Sequence, residues 1–203
     1  MDSMAEQIVK LKKKQWYQIT APKQFENIVL GETLVYEPSV MMGKTLSHSL
    51  MNLTNDNKRQ NINIHFKVVE VDGDKAKTSI MGYEIIPSSV KRYVRRNSKK
   101  IDLSFNCETS DNTFLRVKPL IVTKTNVKGS VVSKLIENAT NLLTKAIKKL
   151  SYEEFINGLI SRKIQDEMKS TLNKIYPLKV CEIRYAGIEL REKPQEVKAE
   201  VKE

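Results

Sequence analysis

Arg92, Arg95, Arg96, Lys99 and Lys100 lie within nine residues that contain no acid, and Lys91 extends the run by one. Guanidinium and ammonium groups at this density neutralise phosphates and release counterions, so a nucleic acid held by them is lost as salt rises. Lys12, Lys13 and Lys14, followed by Trp16 and Tyr17, combine charge with rings on which bases can stack. Arg116 and Lys118 alternate on one face of a strand-like run and add two more cations. Each group has a plainer reading beside the RNA-contact one. The 91–100 cluster can be a solvated basic face, and Trp16 with Tyr17 can be a hydrophobic anchor that plugs the N-terminal arm into the body.

Catalytic chemistry has no matching constellation. Gly43-Lys44-Thr45 resembles the end of a phosphate-binding loop but lacks the upstream glycine that shapes one. His48 and His65 have no nearby cysteine, and no acid–histidine spacing fits a metal site or a triad. The acid pairs Glu153-Glu154 and Asp166-Glu167 fall on helical patterns, where capping and solvation account for them. Cys107 and Cys181 lie far apart and read as free buried thiols of a reducing compartment. No enzyme, metal or cofactor is therefore expected.

The balance of charge supports a polyanionic partner. The chain has 203 residues, with 35 Lys+Arg against 24 Asp+Glu and a formal charge of +11. Between Lys91 and Lys134 eleven cations face only Asp102, Glu108 and Asp111, so this stretch carries +8 of that total. A surface charged only for solubility would spread the excess. No run of 18 apolar residues is present to span a membrane, and the first residues lack the apolar stretch of a secretory signal.

Strands followed by helices position these groups, an α+β arrangement. Residues 1–14 read as a basic arm and 191–203 as a charged, disordered tail, with a single domain over 15–190. Its β core spans about 27–126. Ile62, Ile64, Phe66 and Val68 alternate with polar residues, as in a half-buried strand. Asp72-Gly73-Asp74 is a hairpin turn, since Asp-Gly supplies the positive φ such turns need. A second hairpin runs from Ile101 to Glu108, turns near Ser110-Asp111-Asn112 and returns over Thr113 to Lys124. Helices are expected over about 130–175. Apolar residues at 132, 135, 136, 139, 142, 143, 146, 147 and 150 follow helical spacing, which predicts packing against the β core, an exposed partner-binding stripe being the alternative. Ser151 and Glu154 fit a capping box, and Gly158 threatens the continuity of the helix they start. Residues 178–186 read as a closing strand.

Several stretches resemble a known family in the right order. Lys12-Lys13-Lys14-x-Trp16-Tyr17, then Ala21-Pro22 and Phe25, is similar to the entry segment of the archaeal and eukaryotic small-subunit ribosomal protein family S3Ae. Gly43-Lys44 and Ser49-Leu50-Met51-Asn52-Leu53-Thr54-Asn55-Asp56 resemble its Gly-Arg…Ser-Leu-x-Asp-Leu segment, which adds Lys44 to the candidate RNA contacts. Val90 to Asp102 resembles its basic connector, and Arg116-Val117-Lys118-Pro119-Leu120 the strand that follows. Ile175-Tyr176-Pro177-Leu178, with Val180, Glu182, Ile183 and Arg184, is the most specific likeness. Lys44 stands where arginine is commoner, Asn52 where aspartate is usual, and Asn112 replaces a turn glycine. The length resembles that of archaeal members.

The resemblance implies a non-catalytic constituent of the small ribosomal subunit in the cytoplasm. It places such a protein on the platform near the messenger exit, against ribosomal RNA and neighbouring platform proteins, with messenger RNA and initiation factors close by. It also implies that the antiparallel β core is barrel-like and packed with C-terminal helices. An RNA-processing enzyme or translation factor that visits the ribosome transiently is the competing reading.

Overall fold

A computed structural model of the protein describes residues 13–189. Lys12, most of the basic arm and the 191–203 tail lie outside the described residues. The chain divides into two compact units, one up to Met81 and one from Gly82 onward.

The first unit begins with a strand that precedes the expected β core of about 27–126. β1 (Gln15–Thr20) runs antiparallel to β2 (Val29–Val35), pairing Trp16 with Leu34 and Gln15 with Val35. β2 continues through Gly31 without a break. β3 (Thr45–Ser49) leads into a short helix, α1 (Leu50–Thr54), and β3 pairs with β4 (Ile62–Asp72). β4 returns as β5 (Lys75–Ile85) through Gly73-Asp74, and Gly73 has the positive φ, 57°, that the Asp-Gly reading required. The strand order is β3-β4-β5-β1-β2, with β1 parallel to β5. Ile64, Phe66 and Val68 are buried on one side of β4, in the expected phase. Tyr17, Val35, Met41, Val68 and Ala76 form a core cluster, and Phe25 meets Phe66 edge-on at 6.0 Å.

The second unit is built on two long antiparallel strands, β8 (Phe114–Thr123) and β9 (Leu178–Ile188). The last residues of β5, Gly82 to Glu84, pair with the far side of β9. Helix α2 (Pro87–Tyr93) follows β5. The expected single strand 101–108 is two strands, β6 (Lys100–Asp102) and β7 (Phe105–Glu108), both on β8. Pro119 explains the break. β6 pairs with residues beyond it and β7 with residues before it, and a proline has no N–H for the ladder. The turn between β7 and β8 places Asn112 at φ 57°, a conformation asparagine tolerates.

Among the described residues these strands form an open sheet in each unit. β2 and β3 end the first unit's sheet, and β6 and β7 lie outermost in the second. The barrel-like closure implied by the family likeness is therefore corrected to an open α+β sheet.

Helices follow as expected: α3 (Gly129–Ile147), α4 (Tyr152–Ile160) and α5 (Lys163–Asn173). Leu135, Ala139, Leu143 and Ile147, one turn apart, are almost fully buried, and α5 packs on β9. The capping box exists: Glu154 N–H donates to Ser151 Oγ at 3.3 Å, and Ser151 N–H to Glu154 Oε2 at 3.1 Å. Helix α4 runs unbroken through Gly158. A Cβ there would come within 2.8 Å of Ile164 Cδ1, so the missing side chain lets α4 and α5 approach. Between them Arg162 takes φ 64° and reaches the carboxylate of Glu182, a residue 8% exposed on β9. Burial raises the Glu182 pKa above its ordinary value, and the Arg162 guanidinium opposes that rise. No described helix is long and apolar enough to cross a membrane.

Candidate nucleic-acid interface

The basic connector folds into a helix, a tight turn and a strand start. Helix α2 buries Ser89 and Val90 and leaves Lys91 and Arg92 outside; Arg92 Nη2 donates to Ser89 Oγ at 2.8 Å. Tyr93 at the end of the helix is half-buried, and burial first, then the Glu182 carboxylate, raises its pKa. Residues Arg95–Ser98 then reverse direction. Ser98 N–H donates to the Arg95 carbonyl at 3.3 Å, Ser98 Oγ donates to the same oxygen at 2.6 Å, and Asn97 takes φ 62°. A serine and an αL asparagine thus fix a corner from which Arg95 and Arg96 project into solvent. Lys99 is tied by its backbone: its N–H donates to Thr123 Oγ1 at 3.0 Å and its carbonyl accepts from Thr123 N–H at 3.1 Å. Its side chain stays exposed.

Three of the expected cations meet in one concavity of the second unit. Lys91 from α2, Lys100 from β6 and Lys118 from β8 line it with Glu84 of β5 and with Arg184 and Tyr185 of β9. The cavity is about 350 Å³. Asp102 holds two of the cations, with Lys100 Nζ at 2.6 Å and Arg184 Nη1 at 3.4 Å from the same carboxylate oxygen. Lys118 Nζ stands 5.0 Å from the centroid of the Tyr185 ring.

Arg184 and Tyr185 were not among the expected contacts. In a regular strand, neighbours point to opposite faces. Here β8 and β9 shift register: Lys118 pairs with Tyr185 and Pro119 with Ile183, so Arg184 is an extra residue. Such a bulge re-aims the side chain next to it, which lets adjacent residues line one cavity. Pro119 inside an apparently central strand was the available signal. Arg116 lies outside this cavity and pairs with Glu189 at 3.2 Å.

In the first unit the aromatic pair splits. Tyr17 is 4% exposed and belongs to the core, whereas Trp16 is 63% exposed. Of the anchor reading, Tyr17 keeps its part and Trp16 does not. Lys13 and Lys14 are exposed, and Lys14 Nζ stands 5.1 Å from the centroid of the exposed Tyr36 ring. Lys44 is exposed just before β3, its N–H bonded to the Met41 carbonyl.

Among the described residues no three His, Cys, Asp or Glu side chains group as metal ligands. Cys107 and Cys181 are free and buried, and burial pushes their thiols up to about 11 and about 12. Thiols so placed stay protonated at neutral pH and are poor nucleophiles.

Comparison with known proteins bears on this arrangement of open sheet, helices and exposed cations. The chain is 31% identical over 182 residues to a protein of Nanoarchaeum equitans named small ribosomal subunit protein eS1, covering 90% of this chain and 92% of that one. It is 30% identical over 187 residues to the protein of that name from Haloarcula marismortui, covering 92% and 87%. A third, from Sulfurisphaera tokodaii, is 30% identical over 174 residues, covering 86% and 90%. The Ribosomal S3Ae family matches residues 4–190, from the arm to the end of β9, and the chain belongs to that family.

Proposed function

We propose that the protein is a structural, non-enzymatic constituent of the small ribosomal subunit in the cytoplasm, and that it binds ribosomal RNA there. The observation that carries the reading is the likeness to relatives named as small-subunit proteins over about nine-tenths of both chains. Family membership also supports the absence of a catalytic role.

RNA contact rests on charge and shape. Arg95 and Arg96 project from a turn pinned by Ser98, and Lys91, Lys100 and Lys118 converge with Arg184. In the first unit Lys13, Lys14, Lys44 and Trp16 are exposed. Lys12, outside the described residues, and Arg92, Lys99 and Arg116 complete the proposed set; Tyr17 supports it from the core. The likeness noted in the sequence further favours a platform position near the messenger exit, beside other platform proteins. Messenger RNA and initiation factors would then be within reach.

Sedimentation of cell extract tests the reading. A constituent tracks the small subunit at moderate salt in constant proportion. Recovery chiefly in the free pool, or release by a mild salt wash, would overturn it in favour of a transient factor.

A further inference from the structure

The concavity between α2, β6, β8 and β9 has more than a phosphate-neutralising surface requires. Cations on an open face hold a backbone; this cavity also has a ring and apolar residues in its lining. Its volume, about 350 Å³, falls within the range of roughly 300–1,000 Å³ for small-molecule sites. Val90 and Ile85 supply its apolar lining, and both are buried. Four cations line it against Glu84, with Asp102 beside two of them, so positive charge is in excess.

The ring is set in place by its own strand. A Cβ on Gly187 would lie 2.6 Å from the Tyr185 hydroxyl oxygen and 2.9 Å from its Cζ. The glycine therefore leaves the space along which the ring lies. Lys118 stands over that ring. Base–aromatic stacking is the stronger contact, and a lysine has the freedom to swing from ring to phosphate. Asp102 keeps Lys100 and Arg184 poised together at the rim, where a second anion can share both.

We propose that this pocket receives one unpaired nucleotide of an RNA, its base against Tyr185 and its phosphates against Lys91, Lys100 and Arg184. The proposal deepens the RNA-binding reading and rests on it. An acidic side chain of a protein would satisfy the cations but leave the ring and the apolar lining without a partner. Folded RNA offers unstacked bases flanked by phosphates, and these are what proteins read in it.

Two hairpin RNAs test it, identical except that one carries a single bulged adenosine and the other an abasic residue at that position. Their backbone charge is equal, so any difference in affinity belongs to the base. The full-length protein should bind the adenosine form about tenfold tighter, the scale of one stacked base. Tyr185→Leu should abolish that preference and leave the salt slope unchanged, whereas Arg184→Gln should flatten the slope. Gly187→Ala, which displaces the ring without deleting it, provides a second variant should Tyr185→Leu fail to fold. Equal affinity of the native protein for both RNAs, or a preference surviving in both ring variants, overturns the pocket alone. Failure to bind either RNA at low salt overturns the pocket and the RNA reading together.

Discussion

Trp16 and Leu34 are directly paired across β1 and β2, and both side chains are exposed on the sheet, at 63% and 40%. Their sequence neighbours Tyr17 and Val35 are buried on the opposite face, at 4% and 5%. One period-2 alternation therefore divides an exposed residue from a core residue.

Truncating the two aromatics should separate those roles. Tyr17→Ala should cost about 3–5 kcal/mol in denaturant melts, the range for removing a buried aromatic. Trp16→Ala should change stability by less than about 0.5 kcal/mol, as exposed positions do, and weaken RNA binding. A comparable stability loss in both would contradict the assignment. The lone tryptophan supplies its own reporter: iodide should quench its emission in the free protein, and bound RNA should protect it.

Local chemistry was the legible part of this fold. Ser151 and Glu154 announced their capping box, Asp72-Gly73 its turn, and residues 135, 139, 143 and 147 their buried stripe, because each rests on contacts within a few residues. The 15–20 strand was hidden behind a lysine run, and its partner β2 lies beyond a loop. The pocket was hidden for a different reason. It depends on Pro119 breaking two ladders, which shows only once β8 has neighbours on both sides. Arg184 and Tyr185 read as alternate faces of one strand until that bulge is known.

Gly158 and Ile164 form a tight fit that can be tested as a pair. Alanine at 158 favours the helix by about 0.5–1 kcal/mol, but crowding a packed core costs typically about 1–3 kcal/mol. Gly158→Ala should thus lower the melting temperature, because its Cβ meets Ile164 Cδ1 at 2.8 Å. Ile164→Val removes that Cδ1. The double variant should be more stable than the sum of the single effects predicts, a coupling read from a double-mutant cycle. Strict additivity would mean the two helices have room to part.

Glu182 makes stability depend on pH in a direction fixed by its burial. Its folded pKa lies above the ordinary carboxylate value of 4.5, so the folded state holds the proton more tightly than the unfolded one. Stability from this group therefore falls as pH rises through that window and recovers on acidification. Arg162→Met removes the guanidinium that limits the shift. It should cost about 2–3 kcal/mol at neutral pH, less than a fully buried pair, since the Arg162 side chain is 55% exposed. The deficit should shrink on acidification as Glu182 protonates. A deficit that stayed constant from pH 8 to 5 would assign the loss to packing instead of charge.

Arg95 and Arg96 are held close together by a turn that Ser98 closes from both its backbone and its hydroxyl. Like charges so near repel, and a phosphate backbone lying across the corner would relieve that repulsion. Each lost phosphate contact reduces the slope of log affinity against log salt by about 0.7–0.9. Arg95→Ala combined with Arg96→Ala should therefore weaken RNA binding and lower the slope by about 1.4–1.8. Folding should be nearly unaffected, because both side chains are exposed. A chain lacking residues 1–14 provides the opposing measurement, since it loses Lys12, Lys13 and Lys14 but keeps the turn. If the double variant kept its slope while the truncated chain lost most of its own, RNA would be held by the arm, and the Arg95–Ser98 corner would be only a solvated turn.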